Sequence, residues 1–266
     1  MINVRDPESV SRLRPFLVAH RGGVIAPESP ENSMRAIERA AEHGYAMVEL
    51  DVMEAADHEP VLLHDGLYIN CGVREQVCNL TSREITAIRY RASDQRVITF
   101  AQAVQACARF GMGVMLDKLC RDDVAAPAMS RECLRRVGSL IGDAALASAT
   151  VAIVDSPWLR EHLGDVSLFP IPREDLRRMG EGQAIPLHGH FGFGWAAELP
   201  GEAVARLHQA GVFAIVSINT FHYPHHAPHI LAQQDIERLL DAGMDGFQID
   251  SMFEDHFPKD RRGPVR

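Results

Sequence analysis

The sequence carries little that would tie it to a membrane, a nucleic acid or a disulfide framework. No apolar run approaches the roughly 20 residues of a membrane span, and the stretch Met1 to Glu8 lacks the apolar centre of a signal peptide. The five cysteines, Cys71, Cys78, Cys107, Cys120 and Cys133, are odd in number and show no C-x-x-C spacing. That pattern argues against a disulfide framework or a structural zinc site, and for a reduced, cytoplasmic setting. A net charge of −9 without a long basic run disfavours nucleic acid as a partner. No G-x-G-x-x-G follows an apolar run, so the dinucleotide fingerprint is missing. Internal repeats and low-complexity linkers are missing too. The 266 residues, 46% of them hydrophobic, therefore read as a single domain spanning 1–266 with a sizeable core.

What is there is a rhythm of short apolar runs and amphipathic helices. Strands are expected at Phe16–Ala19, Met47–Asp51, Val61–His64, Val114–Asp117, Ala149–Val154, Val166–Phe169, Ile185–Leu187, Phe213–Asn219 and Gly246–Ile249. Helices are expected between them. Ser33–His43 places Met34, Ile37, Ala40 and Ala41 on one face and stops at Gly44; Thr99 caps a helix that ends at Gly111. Others are expected near Ala128–Leu140, Pro157–His162, Glu174–Met179, Pro200–Ala210 and Gln233–Ala242. About eight strands alternating with helices over this length give an α/β fold, a (β/α)8 TIM barrel. Continuous apolar strands fit a parallel sheet buried on both faces, with a doubly wound open sheet as the alternative. Residues 65–98 are less regular and read as a small cap inserted after the second strand.

Three early runs end in chemistry. Phe16–Ala19 leads into His20-Arg21-Gly22-Gly23, Met47–Asp51 carries Glu49 and Asp51, and Pro60–Leu63 ends in His64-Asp65. Residues two apart on a strand share a face, so Glu49 and Asp51 project together. A lone histidine at a strand end is more often structural than catalytic, and an E-x-D pair is more often an ion pair or a solvated edge. Four such residues at neighbouring strand ends favour a divalent-metal site flanked by an acid and a base.

The order of the motifs Ala19-His20-Arg21-Gly22, Pro30-Glu31-Asn32-Ser33, Glu49-Leu50-Asp51-Val52, Pro60-Val61-Leu62-Leu63-His64-Asp65 and Gly243-Met244-Asp245-Gly246-Phe247-Gln248-Ile249-Asp250 resembles the glycerophosphodiester phosphodiesterase family, within the phosphatidylinositol-phospholipase-C-like superfamily. The resemblance implies His20 and His64 as general acid and base, and Glu49, Asp51 and Asp117 as metal ligands. It implies Arg21 as a phosphate contact; Lys118, beside Asp117, and His188, from its expected place on the same rim, are further candidates for substrate or phosphate binding. The implied cofactor is a divalent cation, Mg²⁺ or Ca²⁺, with Mn²⁺ an alternative. The implied partner is a small-molecule phosphodiester, and a homo-oligomer stays open. Metal plus paired histidines is what the chemistry asks for: charge building on the phosphoryl oxygens is offset, the nucleophile loses its proton and the leaving alkoxide gains one.

The sequence departs from the family in its substrate walls. The family's Lys two positions after the third carboxylate is Leu119 here, with Lys118 adjacent to Asp117. The run after Asp65 reads Leu67-Tyr68-Ile69-Asn70-Cys71-Gly72, and strand seven lacks the usual Trp. The leading expectation is cleavage of a small glycerophosphodiester-like substrate to an alcohol and a phosphomonoester. Alternatives are a sugar phosphodiester of the agrocinopine type, a cyclising lyase, and a non-catalytic binding barrel. His188 and His190, expected after strand six, and His222, His225, His226 and His229, expected after strand seven, read either as substrate contacts or as solvated loop. Phe191, Phe193 and Trp195 read as stacking platforms or as core, and Met112 and Met115 as core.

Overall fold

A computed structural model of the chain describes residues 1–119, 129–224 and 226–257. Its strands are β1 (Phe16–Ala19), β2 (Met47–Glu54), β3 (Pro60–Leu62), β4 (Gly113–Asp117), β5 (Thr150–Ala152), β6 (Phe169–Pro170), β7 (His190–Trp195), β8 (Ala214–Ile218) and β9 (Gly246–Ile249). They run in the order β5-β4-β2-β1-β9-β8-β7-β6, with β3 attached to β2 alone. Every neighbour on that path is parallel. The two ends meet through a parallel bridge between Val151 and Leu168, where the Ala152 amide donates to the Leu168 carbonyl at 2.8 Å. The sheet is thus a nearly closed eight-stranded barrel with helices outside it, the (β/α)8 architecture.

Strand alternation divides the apolar residues between two cores. Phe16, Val18, Met47, Met115, Val151, Phe191 and Ile215 form a buried cluster in the barrel interior. Leu17, Val48, Leu50, Val114, Leu116, Ala214 and Val216 face the helices instead. Two glycines make room inside: a Cβ on Gly246 would stand 2.5 Å from Phe16 Cζ, and one on Gly113 would stand 2.6 Å from the Ala149 carbonyl. The interior positions that follow Met47 are Glu49 and Asp51, and the one that follows Met115 is Asp117. Register pairs Glu49 with Met115 and Asp51 with Asp117. The same pleat that buries the lower layers therefore delivers three carboxylates to the barrel's upper rim.

Caps hold the helices where the sequence leads one to expect them. Ser33 accepts from the Ala36 amide to open Met34–Glu42, and Thr99 and Gln102 form a capping box on Phe100–Phe110. Gly111, at φ +72°, closes the latter. The Ala128–Leu140 helix begins later, at Arg131, behind an Ser130 cap, and residue 128 lies outside the described residues.

Two sequence expectations need correction. The Val61–His64 run is not a stave of the barrel. β3 pairs antiparallel with the upper end of β2, so the two form a hairpin that carries the chain back to the rim at His64. The expected strand at Ile185–Leu187 lies elsewhere, at His190–Trp195. Pro186 has no amide to give to a ladder, whereas Phe191-Gly192-Phe193-Gly194-Trp195 alternates at strand period behind its glycines. Between β3 and Phe100, residues 66–98 pack Leu63, Leu67, Val77, Ile85, Tyr90 and Val97 into a separate small core.

Candidate active site

The loop after β1 sets the site. Arg21 adopts a left-handed conformation at φ +53°, and Gly22 follows at φ +80°. A Cβ on Gly22 would lie 2.6 Å from Asn32 Cα, so only glycine lets the two loops meet. The turn aims the Arg21 amide at Glu49 Oε2, 2.6 Å away, and the Arg21 carbonyl accepts from the Asn32 amide at 2.8 Å. Asn32 in turn donates through Nδ2 to Asp51 Oδ2 at 2.8 Å and accepts from the Asp51 amide at 3.2 Å. Left-handed Arg21, Asn32 and Lys118 all stand at this rim, where strained backbone commonly serves a site.

Glu49, Asp51 and Asp117 can each present one oxygen such that all three lie within 4.8 Å of one another. Glu49 and Asp51 are buried, and Glu49 Oε1 and Asp51 Oδ1 have no hydrogen-bond partner among the described residues. Burial, followed by repulsion from Asp51 and Asp117, holds the Glu49 carboxyl well above the ordinary range. Burial also raises Asp51, against opposing pulls from His64 and Asn32. Buried carboxylates that repel one another and leave oxygens unsatisfied fit a hard divalent cation, which takes oxygen ligands. The donor set has no sulfur or imidazole to favour zinc or copper.

His20 and His64 flank this group, each with a carboxylate on Nδ1. His20 Nδ1 is 2.6 Å from Asp250 Oδ1, and Asp250 Oδ2 accepts from the Thr220 amide at 2.6 Å. Burial alone would raise Asp250, but the hydrogen bond and charge of His20 and the Thr220 contacts prevail and hold it below the usual carboxylate range. An ionised Asp250 requires the proton on His20 Nδ1, which leaves Nε2 as the nitrogen not engaged by Asp250. His64 Nδ1 is 2.7 Å from Asp65 Oδ1, and His64 Nε2 is 3.3 Å from Arg21 Nη2. Arginine only donates, so that contact is a hydrogen bond when His64 Nε2 carries a lone pair. Arg21 is itself held by Glu31 Oε2 at 2.9 Å and by Asp65 Oδ2 at 3.8 Å.

The remaining candidates separate. Lys118, at φ +63°, leaves the strand line at once and lines a cavity of about 670 Å³ with Asp65, Tyr68 and Met129. Leu119 is buried. His188 and His190 precede or begin β7 instead of following a strand. His188 lines a cleft with Arg14, His208 and Asp245 at the opposite, N-terminal ends of the strands, away from the carboxylates. Its expected phosphate role is corrected accordingly, for the same reason the strand moved. His222 is half-buried between Trp195 and Phe221, with ring centroids 4.8 and 4.2 Å away, and burial lowers its imidazole. His225 lies outside the described residues. Phe191 is interior core, whereas Trp195 is exposed.

Sequence reasoning quoted Glu31, Asn32, Asp65 and Asp250 within motifs without assigning them roles. The available signal was chemical for Asp65 and Asp250, polar residues at the ends of apolar runs; Glu31 and Asn32 lie in the polar loop before Ser33, which carries no such signal.

The family model described as "Glycerophosphoryl diester phosphodiesterase family" matches residues 20–145. Glycerophosphodiester phosphodiesterase 1 of Mus musculus is 27% identical over 178 residues, covering 58% of this chain and 53% of the relative. The chain spans about half the length of the curated relatives it matches first. Among solved structures, a glycerophosphoryl diester phosphodiesterase from Parabacteroides distasonis superposes with a TM-score of 0.69 at 19% identity, over 95% of this chain and 91% of the other. A phosphodiesterase from Oleispira antarctica, in complex with the product sn-glycerol-3-phosphate, superposes with a TM-score of 0.65 at 15% identity, over 93% of this chain and 98% of the other. At these identities the superpositions establish the fold.

Proposed function

We propose that this chain, whose residues 20–145 match the glycerophosphoryl diester phosphodiesterase family model, is a metal-dependent phosphodiesterase of that family. The substrate is a small glycerophosphodiester-like molecule, cleaved to an alcohol and a phosphomonoester. The observation that carries this reading is the joint geometry of three convergent carboxylates and two histidines, each histidine braced by its own carboxylate. Glu49, Asp51 and Asp117 would hold the divalent cation, Mg²⁺ or Ca²⁺ with Mn²⁺ as a substitute. When bound, such an ion supplies Lewis-acid stabilisation of the phosphoryl oxygens.

The chain's own groups do the rest. Arg21 offers its guanidinium to a phosphate oxygen, and Glu31 and Asp65 keep it extended over the site. His64, with Nδ1–H given to Asp65, accepts the nucleophile's proton at Nε2 once Arg21 has turned from that nitrogen to the phosphate. His20, with Nδ1–H given to Asp250, protonates the leaving alkoxide from Nε2. Such proton transfers contribute typically ~10²–10⁴-fold. Lys118 stands on the Asp65 side of the mouth and contacts the substituent beyond the phosphate. We further propose a single domain over 1–266 in which residues 65–98 form a cap beside the site. A cytoplasmic address is proposed on the free thiols of Cys71, Cys78, Cys107 and Cys133.

The test is turnover of a glycerophosphodiester panel with each cation, followed by phosphorus NMR. Glycerol phosphate as the first product supports water as the nucleophile; a persistent cyclic ester sinks the hydrolytic route. Thermal stabilisation by phosphodiester with no product from any cation sinks the catalytic reading itself.

A further inference from the structure

A second concavity lies at the other end of the barrel. A cleft of about 480 Å³ opens between the helix at Pro7–Leu13 and the segments that lead into β7, β8 and β9. That volume falls within the range of small-molecule sites. Val10, Leu168 and Phe213 give it an apolar wall, and Arg5, Arg14 and His208 give it cations. The catalytic carboxylates stand at the opposite ends of the same strands, so this cleft takes no part in the chemistry at the rim.

Asp245 organises the cations. It is fully buried, and both of its carboxylate oxygens are engaged. Oδ1 accepts from Arg14 Nε at 2.7 Å and from Arg14 Nη2. Oδ2 accepts from His208 Nε2 at 2.8 Å and from the Ala214 amide at 2.9 Å. Arg14 Nη1 and His208 Nδ1 stay outside these bonds. Arg5 is held differently. Its Nε donates to the Ala147 carbonyl at 3.3 Å, and its Nη2 to the carbonyls of Asp165 and Ser167 at 3.5 and 3.2 Å. Carbonyls orient a guanidinium without cancelling its charge. Asp245 is the sole acid among the described residues that line the cleft, against two guanidinium groups. The lining is therefore cationic in a chain whose net charge is −9.

Guanidinium forks match the oxygens of phosphate and hold them by charge-assisted hydrogen bonds. A bare phosphate would leave the apolar wall uncovered. We propose that this cleft binds an organic phosphate monoester, with the phosphate on Arg5 and Arg14 and the organic part against Val10, Leu168 and Phe213. His208 adds a contact through Nδ1. A ligand seated there joins the N-terminal helix to the strand starts and stabilises the folded chain. Two sources share this chemistry: the phosphomonoester released at the barrel mouth, and a phosphate ester made elsewhere. The site itself does not rest on the phosphodiesterase reading.

The test uses the full chain with Mg²⁺. The His208 ring resonance, assigned through its loss in His208→Gln, reports on the cleft by NMR and separates it from phosphate binding at the rim. Glycerol 3-phosphate, a nucleoside 5′-monophosphate, inorganic phosphate and succinate are titrated in turn. Expected is a saturable shift of His208 with a monoester, at lower concentration than with inorganic phosphate. Arg5→Gln is expected to weaken that binding on the order of tenfold, and Arg5→Lys to recover part of it. Arg5 is chosen over Arg14 because loss of Arg14 strands a buried carboxylate. Both Arg5 variants should turn over a soluble diester as the parent does. A preference for glycerol 3-phosphate supports the cleft and assigns it to the reaction's product; a preference for the nucleotide supports it and assigns an outside source. Monoester binding that leaves His208 unmoved overturns the proposal. So does undiminished affinity in Arg5→Gln, or succinate or inorganic phosphate binding as tightly as the esters. Binding at His208 in a chain that cleaves no diester leaves the cleft standing and removes the phosphodiesterase reading alone.

Discussion

Asp250 Oδ1 stands 2.6 Å from His20 Nδ1, joining the residue that follows the last barrel strand to the one that follows the first. Because β1 and β9 are direct neighbours, with Ala19 opposite Ile249, the pair is built at the point where the two ends of the chain meet. The carboxylate fixes which ring nitrogen of His20 holds its proton and stabilises the charged ring. Asp250→Asn keeps an acceptor but removes the charge. Turnover is expected to fall roughly 10²-fold, within the range of acid–base contributions, while the melting temperature changes little. Unchanged kcat would remove Asp250 from this role.

The carboxylate cluster makes a pH-dependent prediction for the metal-free protein. Glu49 and Asp51 have folded-state pKa values raised by burial. A carboxyl raised on folding binds more protons folded than unfolded, so stability falls as pH rises from the ordinary carboxylate range towards the folded value. Thermal denaturation in chelator is expected to show lower stability at neutral pH than at mildly acidic pH. Added Mn²⁺ or Mg²⁺ should restore it most at neutral pH, since binding displaces protons. Equal metal responses at both pH values would count against a shared ion.

Glu49→Gln separates the metal from the fold. The substitution removes a buried charge that has no partner at Oε1 among the described residues. The metal-free variant is expected to melt above the metal-free parent, by ~3 °C for each kcal/mol of repulsion relieved. It should show little further rise with metal. A variant that melts lower and still responds fully to metal would show that Glu49 is not a ligand.

Arg21→Lys tests the phosphate contact. Lysine keeps the charge but loses the fork that reaches Glu31 and His64 together. Losing a hydrogen bond to a charged group costs ~1.5–3 kcal/mol, so kcat/KM should fall on the order of tenfold to a hundredfold. Steady-state kinetics on a soluble diester, with unchanged affinity for the metal, is the check.

Gly246→Ala probes the barrel interior. Its Cβ would meet Phe16 Cζ at 2.5 Å, and overpacking of this kind costs ~1–3 kcal/mol. Denaturant unfolding should show that loss, and Phe16→Leu in the same chain should recover part of it. Additive losses in the double variant would mean the two positions do not share the space.

The barrel was legible in the sequence because its causes are local. Apolar runs of strand length, the Ser33 and Thr99 caps and stops such as Gly111 each act within a few residues. The period of two that puts Glu49 and Asp51 on one face is equally local. Where the pattern was broken, the reading slipped. Glycines at 192 and 194 masked β7, and the apolar triplet at Ile185–Leu187 stood in for it, which carried His188 to the wrong rim. The Val61–His64 run looked like a stave because nothing in its own residues says that it folds back on β2.

Composition and period determined the fold class and the layer on which each carboxylate lies, since both follow from backbone geometry and burial of apolar surface. Only the tertiary structure decided the partners. Asp250 is 230 residues from His20, and Asp117 reaches Asp51 only through the register of β2 with β4. A hydrogen bond or a shared ion depends on ångström-scale distances across strands, and barrel closure sets those distances where no run of residues can.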